Sequence, residues 1–193
     1  DLFETNVDLD TFDEYSTKYS NASLTAEWVK KNLQDVEFRY TLYLRSNPFV
    51  SLFAKENFYE LVELWKDQFD DEHNTVLPRR VTEQAIDAYQ PDKKLVAHYM
   101  QPHWPFYVHE LGRAPEDSMD ILGRGDTNGD EPHNPFKGLR QGQYTKDEVW
   151  EAYEETFQAA YPHALELARS LDGRTVITSD HGNLFGESLH RYV

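Results

Sequence analysis

The chain has 193 residues, 19 Lys plus Arg against 35 Asp plus Glu, a formal net charge of −16, no cysteine and 14% aromatic residues. That length suits one domain, and the aromatic content can bury enough apolar area to exclude a disordered acidic tail. The charge excludes nucleic acid and anionic membranes as partners, because both are bound by clustered cations, and the lack of cysteine leaves only oxygen and nitrogen to hold a metal.

No apolar run approaches the ~20 residues that cross a bilayer. With no basic-then-apolar leader at the start, the expectation is a cytoplasmic protein. The acidic residues are spread out, as in Asp67, Asp70, Asp71 and Glu72 or Glu151, Glu154 and Glu155. This is a solvating surface more than a binding patch, and halophiles use the same lever.

In chain order, residues 1–18 are acidic and read as a surface loop or short helix. Ser23 or Thr25 then precedes Ala26, Trp28, Val29 and Leu33 at helical spacing, which predicts a helix over 24–34. Phe38, Tyr40, Leu42 and Leu44 alternate with polar neighbours until Asn47-Pro48, which predicts a strand. Phe58, Leu61, Val62 and Trp65 fit a helix within 51–70, followed by a loop over 70–78 and a helix over 81–89.

Residues 95–100 form a short apolar strand stopped by Pro102 and Pro105. Six glycines and three prolines then make 107–144 a glycine-rich loop or lid insertion. Thr145 and Glu148 form a capping box that opens a helix with Val149, Tyr153, Phe157 and Ala160 on one face. Pro162 should kink or restart it, and Gly173 should stop it. Residues 174–179 are β-branched and read as a third strand. Strands separated by helices predict a single α/β domain over 1–193, an open and mainly parallel sheet with helices on both faces.

In such sheets ligands gather outside the carboxyl ends of the strands. Those ends deliver Ser46 and Asn47, then Gln101 and His103, then Ser179, Asp180 and His181. Asp180 and His181 can give a divalent ion one oxygen and one nitrogen, and Gly182 lets the backbone turn beneath them. The alternative is an Asp that caps the next turn beside a solvated His.

The run Thr175-Val176-Ile177-Thr178-Ser179-Asp180-His181-Gly182-Asn183, with Gly186-Glu187, resembles the metal-binding signature of the alkaline phosphatase and sulfatase superfamily. His98-Tyr99-Met100-Gln101-Pro102-His103-Trp104-Pro105 resembles the sulfatase strand that ends in Pro-His-x-Pro, where the His contacts the ester. The whole chain is further similar to sulfatase-like proteins of halophilic archaea. The resemblance implies an alkaline phosphatase-like fold and a metal-dependent hydrolase of phosphate or sulfate esters, or a related group transferase. Its cofactor would be Mn, Zn, Ca or Mg held by Asp180 and His181, and its partner a small-molecule phosphate or sulfate ester.

The family nucleophile lies at a helix start, which here offers Thr25 or Ser23, either of which reads equally as an N-cap. His103 would hold a non-bridging oxygen or protonate the leaving group, and Asn47 would add a hydrogen bond to substrate. A formylglycine sulfatase is excluded because there is no Cys. The family's leading strand with an acidic metal ligand is missing, and a later metal-binding His has only His190 as its counterpart, so the domain reads as incomplete at both ends. That keeps open an alternative of another class, a non-catalytic relative acting as a binding or scaffold module.

Three further signals read as ordinary surface or core. Residues 126–131 have the composition of a calcium loop, but Gly129 falls too early for an EF-hand. His163 reads as a core or surface residue, and His109 and His133 as exposed loop histidines.

Overall fold

The computed structural model describes residues 2–112 and 134–186. The expected calcium-like turn at 126–131, His133, Glu187 and His190 lie outside the described residues.

The chain opens with α1 (Leu2–Asn6), which lies against the long C-terminal helix: Asn6 Nδ2 donates to Glu154 Oε1 at 2.7 Å, and Phe3 meets Phe157 and Tyr161 edge-on. Then come α2 (Thr25–Asn32), β1 (Phe38–Arg45) and α3 (Phe49–Phe53). β2 (Phe58–Glu63) runs directly into α4 (Leu64–Asp67), and a hairpin of β3 (Phe69–Asp70) and β4 (Thr75–Val76) leads to α5 (Pro78–Ala88). β5 (Lys94–His98), α6 (Pro135–Arg140) and α7 (Lys146–Ser170) complete the fold.

The main sheet is open and has three strands in the order β2-β1-β5, all parallel. Successive side chains of β1 point to opposite faces, and each face has its own core. Leu42 and Leu44 pack with Leu64, Val76, Val81, Ala85 and Leu167, so α5 and α7 cover one side. Tyr43 packs with Val29, Leu33, Val50 and Ala54, so α2 and α3 cover the other. Pro78 at the start of α5 fits because that position needs no hydrogen-bonded N–H. Among the described residues no helix is long and apolar enough to cross a membrane.

Two expectations are corrected. The segment 51–70 is not one helix: its centre is β2, an edge strand. The helical spacing of Phe58, Leu61, Val62 and Trp65 is overridden by the ladder to β1 and by ring packing, since Phe58 stacks on Phe38 at 5.1 Å and meets Tyr43 edge-on at 4.9 Å. Conversely, 174–179 forms no strand. Its β-branched residues have the propensity but no partner among the described residues, and Val176 stands 73% exposed, so no apolar face is buried there. The glycine-rich stretch also holds a helix, α6, which Asn134 caps by accepting from the N–H of Phe136 and Lys137.

For the C-terminal helix the expected cap and stop stand, and the expected restart does not. The capping box at Thr145 and Glu148 is formed, and Gly173 takes a φ of 109° just past α7. The kink or restart expected at Pro162 does not interrupt α7, which runs as one helix through that residue.

Candidate functional site

The site is built from the start of α2, the carboxyl end of β5 and the loop that follows α7. Leu24 occupies the N-cap of α2 and makes no side-chain cap, so the hydroxyl of Thr25, the first helical residue, is not used for capping. Thr25 Oγ1 lies 3.2 Å from His181 Nε2. Ser23, by contrast, is exposed, and its backbone N–H donates to Glu27 Oε2 at 3.4 Å.

His181 Nδ1 lies 3.1 Å from the carbonyl oxygen of Gly182, to which it donates, leaving a lone pair on Nε2 toward Thr25. Asp180 is fixed at both ends of the residue: its Oδ1 accepts from the His181 N–H at 3.0 Å, and its carbonyl accepts from the Ser20 hydroxyl. Its other carboxylate oxygen, Oδ2, is 3.8 Å from His181 Nε2 and is buried without a hydrogen-bond partner. Asn183 Oδ1 is buried and unpartnered in the same way. Buried acceptors left without a donor are costly, and this loop carries two of them three residues apart.

His103 follows β5, and its Nδ1 donates to the Trp104 carbonyl at 2.6 Å. Burial pushes its pKa down, with the charges of His181 and Asp180 also acting on the ring. His98, the last residue of β5, has Nδ1 2.8 Å from the Tyr43 hydroxyl. Burial lowers its pKa too, against the opposing pull of the Asp180 carboxylate. The Tyr43 hydroxyl is pushed up by burial and by Asp180, and burial carries that of Tyr153 to about 12.

Asn47 is buried and serves the turn into α3: its Oδ1 accepts from the Phe49 N–H at 3.1 Å and its carbonyl from Arg45 Nη1 at 2.6 Å. Gln101 is tied to the β4 hairpin through Thr75 Oγ1 and the Val76 carbonyl. His109 Nδ1 accepts from the Leu111 N–H, and His163 Nδ1, a buried atom, lies 3.7 Å from the exposed Glu166 of α7. Tyr43, His98 and Tyr153 were not among the residues expected at the site. For His98 the signal was there, since it stands at a strand's carboxyl end.

Asp180 Oδ2 and His181 Nε2, with the Thr25 hydroxyl beside them, are donors of the kind a divalent cation takes, and the orphaned Oδ2 fits that role. Among the described residues no group of three or more His, Asp or Glu is gathered around one point, so the pair is a partial ligand set. The chain matches no protein-family model, no curated protein and no solved structure.

Proposed function

We propose that the crevice is the reaction centre of a metal-dependent hydrolase of phosphate or sulfate esters, or of a related group transferase, with an alkaline phosphatase-like architecture. The observation that carries this reading is the meeting of Thr25 Oγ1 and His181 Nε2 at 3.2 Å, across 156 positions of sequence. A hydroxyl at a helix start, opposite an imidazole and a carboxylate with a free oxygen, has the makings of an activated nucleophile.

Asp180 and His181 would hold the divalent cation, which when bound lowers the pKa of the hydroxyl and neutralises charge on the ester. Thr25 Oγ1 attacks phosphorus or sulfur, so a new O–P or O–S bond forms as the bond to the leaving oxygen breaks. The Thr25 proton, made acidic by the cation, would pass to water, and His103, its Nδ1 held by the Trp104 carbonyl, would protonate the leaving oxygen from Nε2 when it carries a proton there. Water then hydrolyses the ester on Thr25, or a second alcohol takes the group in a transferase.

The test is turnover of p-nitrophenyl sulfate and p-nitrophenyl phosphate in the presence of Mn, Zn, Ca or Mg, with metal binding followed by calorimetry. Thr25→Ala should abolish turnover while Ser23→Ala costs far less, and Asp180→Ala should lose both metal and turnover. A Thr25→Ala variant as active as the parent would refute the nucleophile. The partial ligand set favours a second reading, a non-catalytic binding or scaffold module. It expects weak metal binding and no turnover of either ester.

A further inference from the structure

The hydrogen positions on the three imidazoles follow from what each ring touches. Nδ1 of His181 and Nδ1 of His103 both face carbonyl oxygens, which can only accept. In the neutral rings these nitrogens carry the hydrogen, and each Nε2 carries a lone pair. His98 is the reverse. Its Nδ1 faces the hydroxyl of Tyr43, a buried phenol that has no other acceptor among the described contacts. If Nδ1 carried a hydrogen, that buried O–H would be left unsatisfied, so Nδ1 accepts and Nε2 bears the hydrogen.

The difference matters for an anionic substrate. The lone pair on His103 repels the oxygens of a sulfate or phosphate ester and that on His181 would be taken up by the cation, whereas an N–H attracts them. Arg45, the cation opposite His98 in the β1–β5 ladder, is fully buried and held by Glu63 and the Asn47 carbonyl, so it is closed to the crevice. His98 ends β5, and Tyr43, to which it is bonded, packs against Val29, one helical turn along α2 from Thr25, so His98 lies on the α2 face of the sheet; the Asp180 carboxylate and the His181 ring also act on its charge.

Resting on the hydrolase reading above, we propose that His98 is a further catalytic residue: its Nε2–H donates to a non-bridging oxygen of the ester, and Tyr43 is the positioning residue that fixes this tautomer. A donor already oriented before the substrate arrives is the kind of group that stabilises charge developing in the transition state.

Two readouts test this. Ring 15N spectra of the intact protein should show His98 as the Nε2–H tautomer, with Nε2 moving on titration with inorganic sulfate or phosphate, and Tyr43→Phe should mix the tautomers. In the ester assay His98→Ala should lose roughly 10²–10³-fold in kcat. His98→Gln, whose amide N–H reaches the same place, should stay within about tenfold of the parent if a donor is all that is needed. An Nδ1–H tautomer, an Nε2 resonance unmoved by either anion, or a His98→Ala variant with the parent's kcat would overturn the proposal. A parent protein that turns over neither ester removes the hydrolase reading alone, and the tautomer and anion titration then decide the role of His98.

Discussion

The buried ion pair between Arg45 and Glu63 offers the sharpest test of what holds the sheet together. The two residues are register partners on β1 and β2, and the Arg45 side chain is 0% exposed. Burial pulls its pKa down to about 10, although Glu63 works in the opposite direction. The carboxylate has more support than the guanidinium. Burial raises the Glu63 pKa, but hydrogen bonds from Lys66 and Ser51 and the charge of Arg45 outweigh that and hold it at about 2.

The perturbations therefore differ in cost. Glu63→Gln leaves a sealed guanidinium without a counter-charge and should cost about 3–5 kcal/mol, whereas Arg45→Met leaves Glu63 with Lys66 and should cost under ~2 kcal/mol. The sign of the pH effect follows from the depressed value. Glu63 contributes fully above its unfolded pKa of 4.5, and the contribution fades as pH falls toward 2. The gap of 4.5 − 2 = 2.5 pH units, at about 1.36 kcal/mol each, is ~3 kcal/mol. Urea denaturation at pH 7, repeated on samples from pH 6 down to pH 3, measures both effects. If Arg45→Met proved as damaging as Glu63→Gln, or if Glu63→Gln kept the parent's acid dependence, the assignment of charges would be wrong.

Because the net charge is −16, the melting temperature should rise by several degrees between low and molar KCl as self-repulsion is screened; a flat or falling curve would remove the salt-adapted reading. Thr145→Ala deletes the hydroxyl that accepts from the Glu148 N–H at 3.2 Å, and should cost about 1 kcal/mol in a denaturant titration without loss of helix α7 by circular dichroism. Gly138→Ala would set a Cβ 2.5 Å from the Tyr144 ring, so despite alanine's better helix propensity it should destabilise by ~1–3 kcal/mol; a more stable variant would show that the ring moves freely.

The parts of the fold legible in the sequence are those where a local pattern and the tertiary environment agree. β1 alternates in sequence and places Leu42 and Leu44 in one core and Tyr43 in another. α7 announces itself through Thr145 and Glu148, and its bond network at that end forms as the spacing implies. β2 was misread because its apolar residues satisfy the helical period, and only the rings of Phe38 and Tyr43, distant in sequence, decide in favour of a strand. Residues 174–179 show the converse, since β-branching describes what a backbone tolerates but not whether a partner strand lies beside it.

For the site, the rule that ligands gather at carboxyl strand ends brought Asp180, His181 and His103 to notice, although the Asp180–His181 end proved to be a loop after α7 and not a strand. The choice between Ser23 and Thr25 could not be made from spacing, because both stand at the same helix start and both suit an N-cap. It depends on which hydroxyl meets a ring 156 positions away, and Thr25 does. Tyr43 was hidden for a different reason: an aromatic residue in the middle of a central strand reads as core, which it also is. Its hydroxyl, however, needs a partner inside that core, and the partner it finds is His98. A buried phenol on the central strand thus sets the proton position on an imidazole at the sheet edge, so that packing and site chemistry here depend on the same side chain.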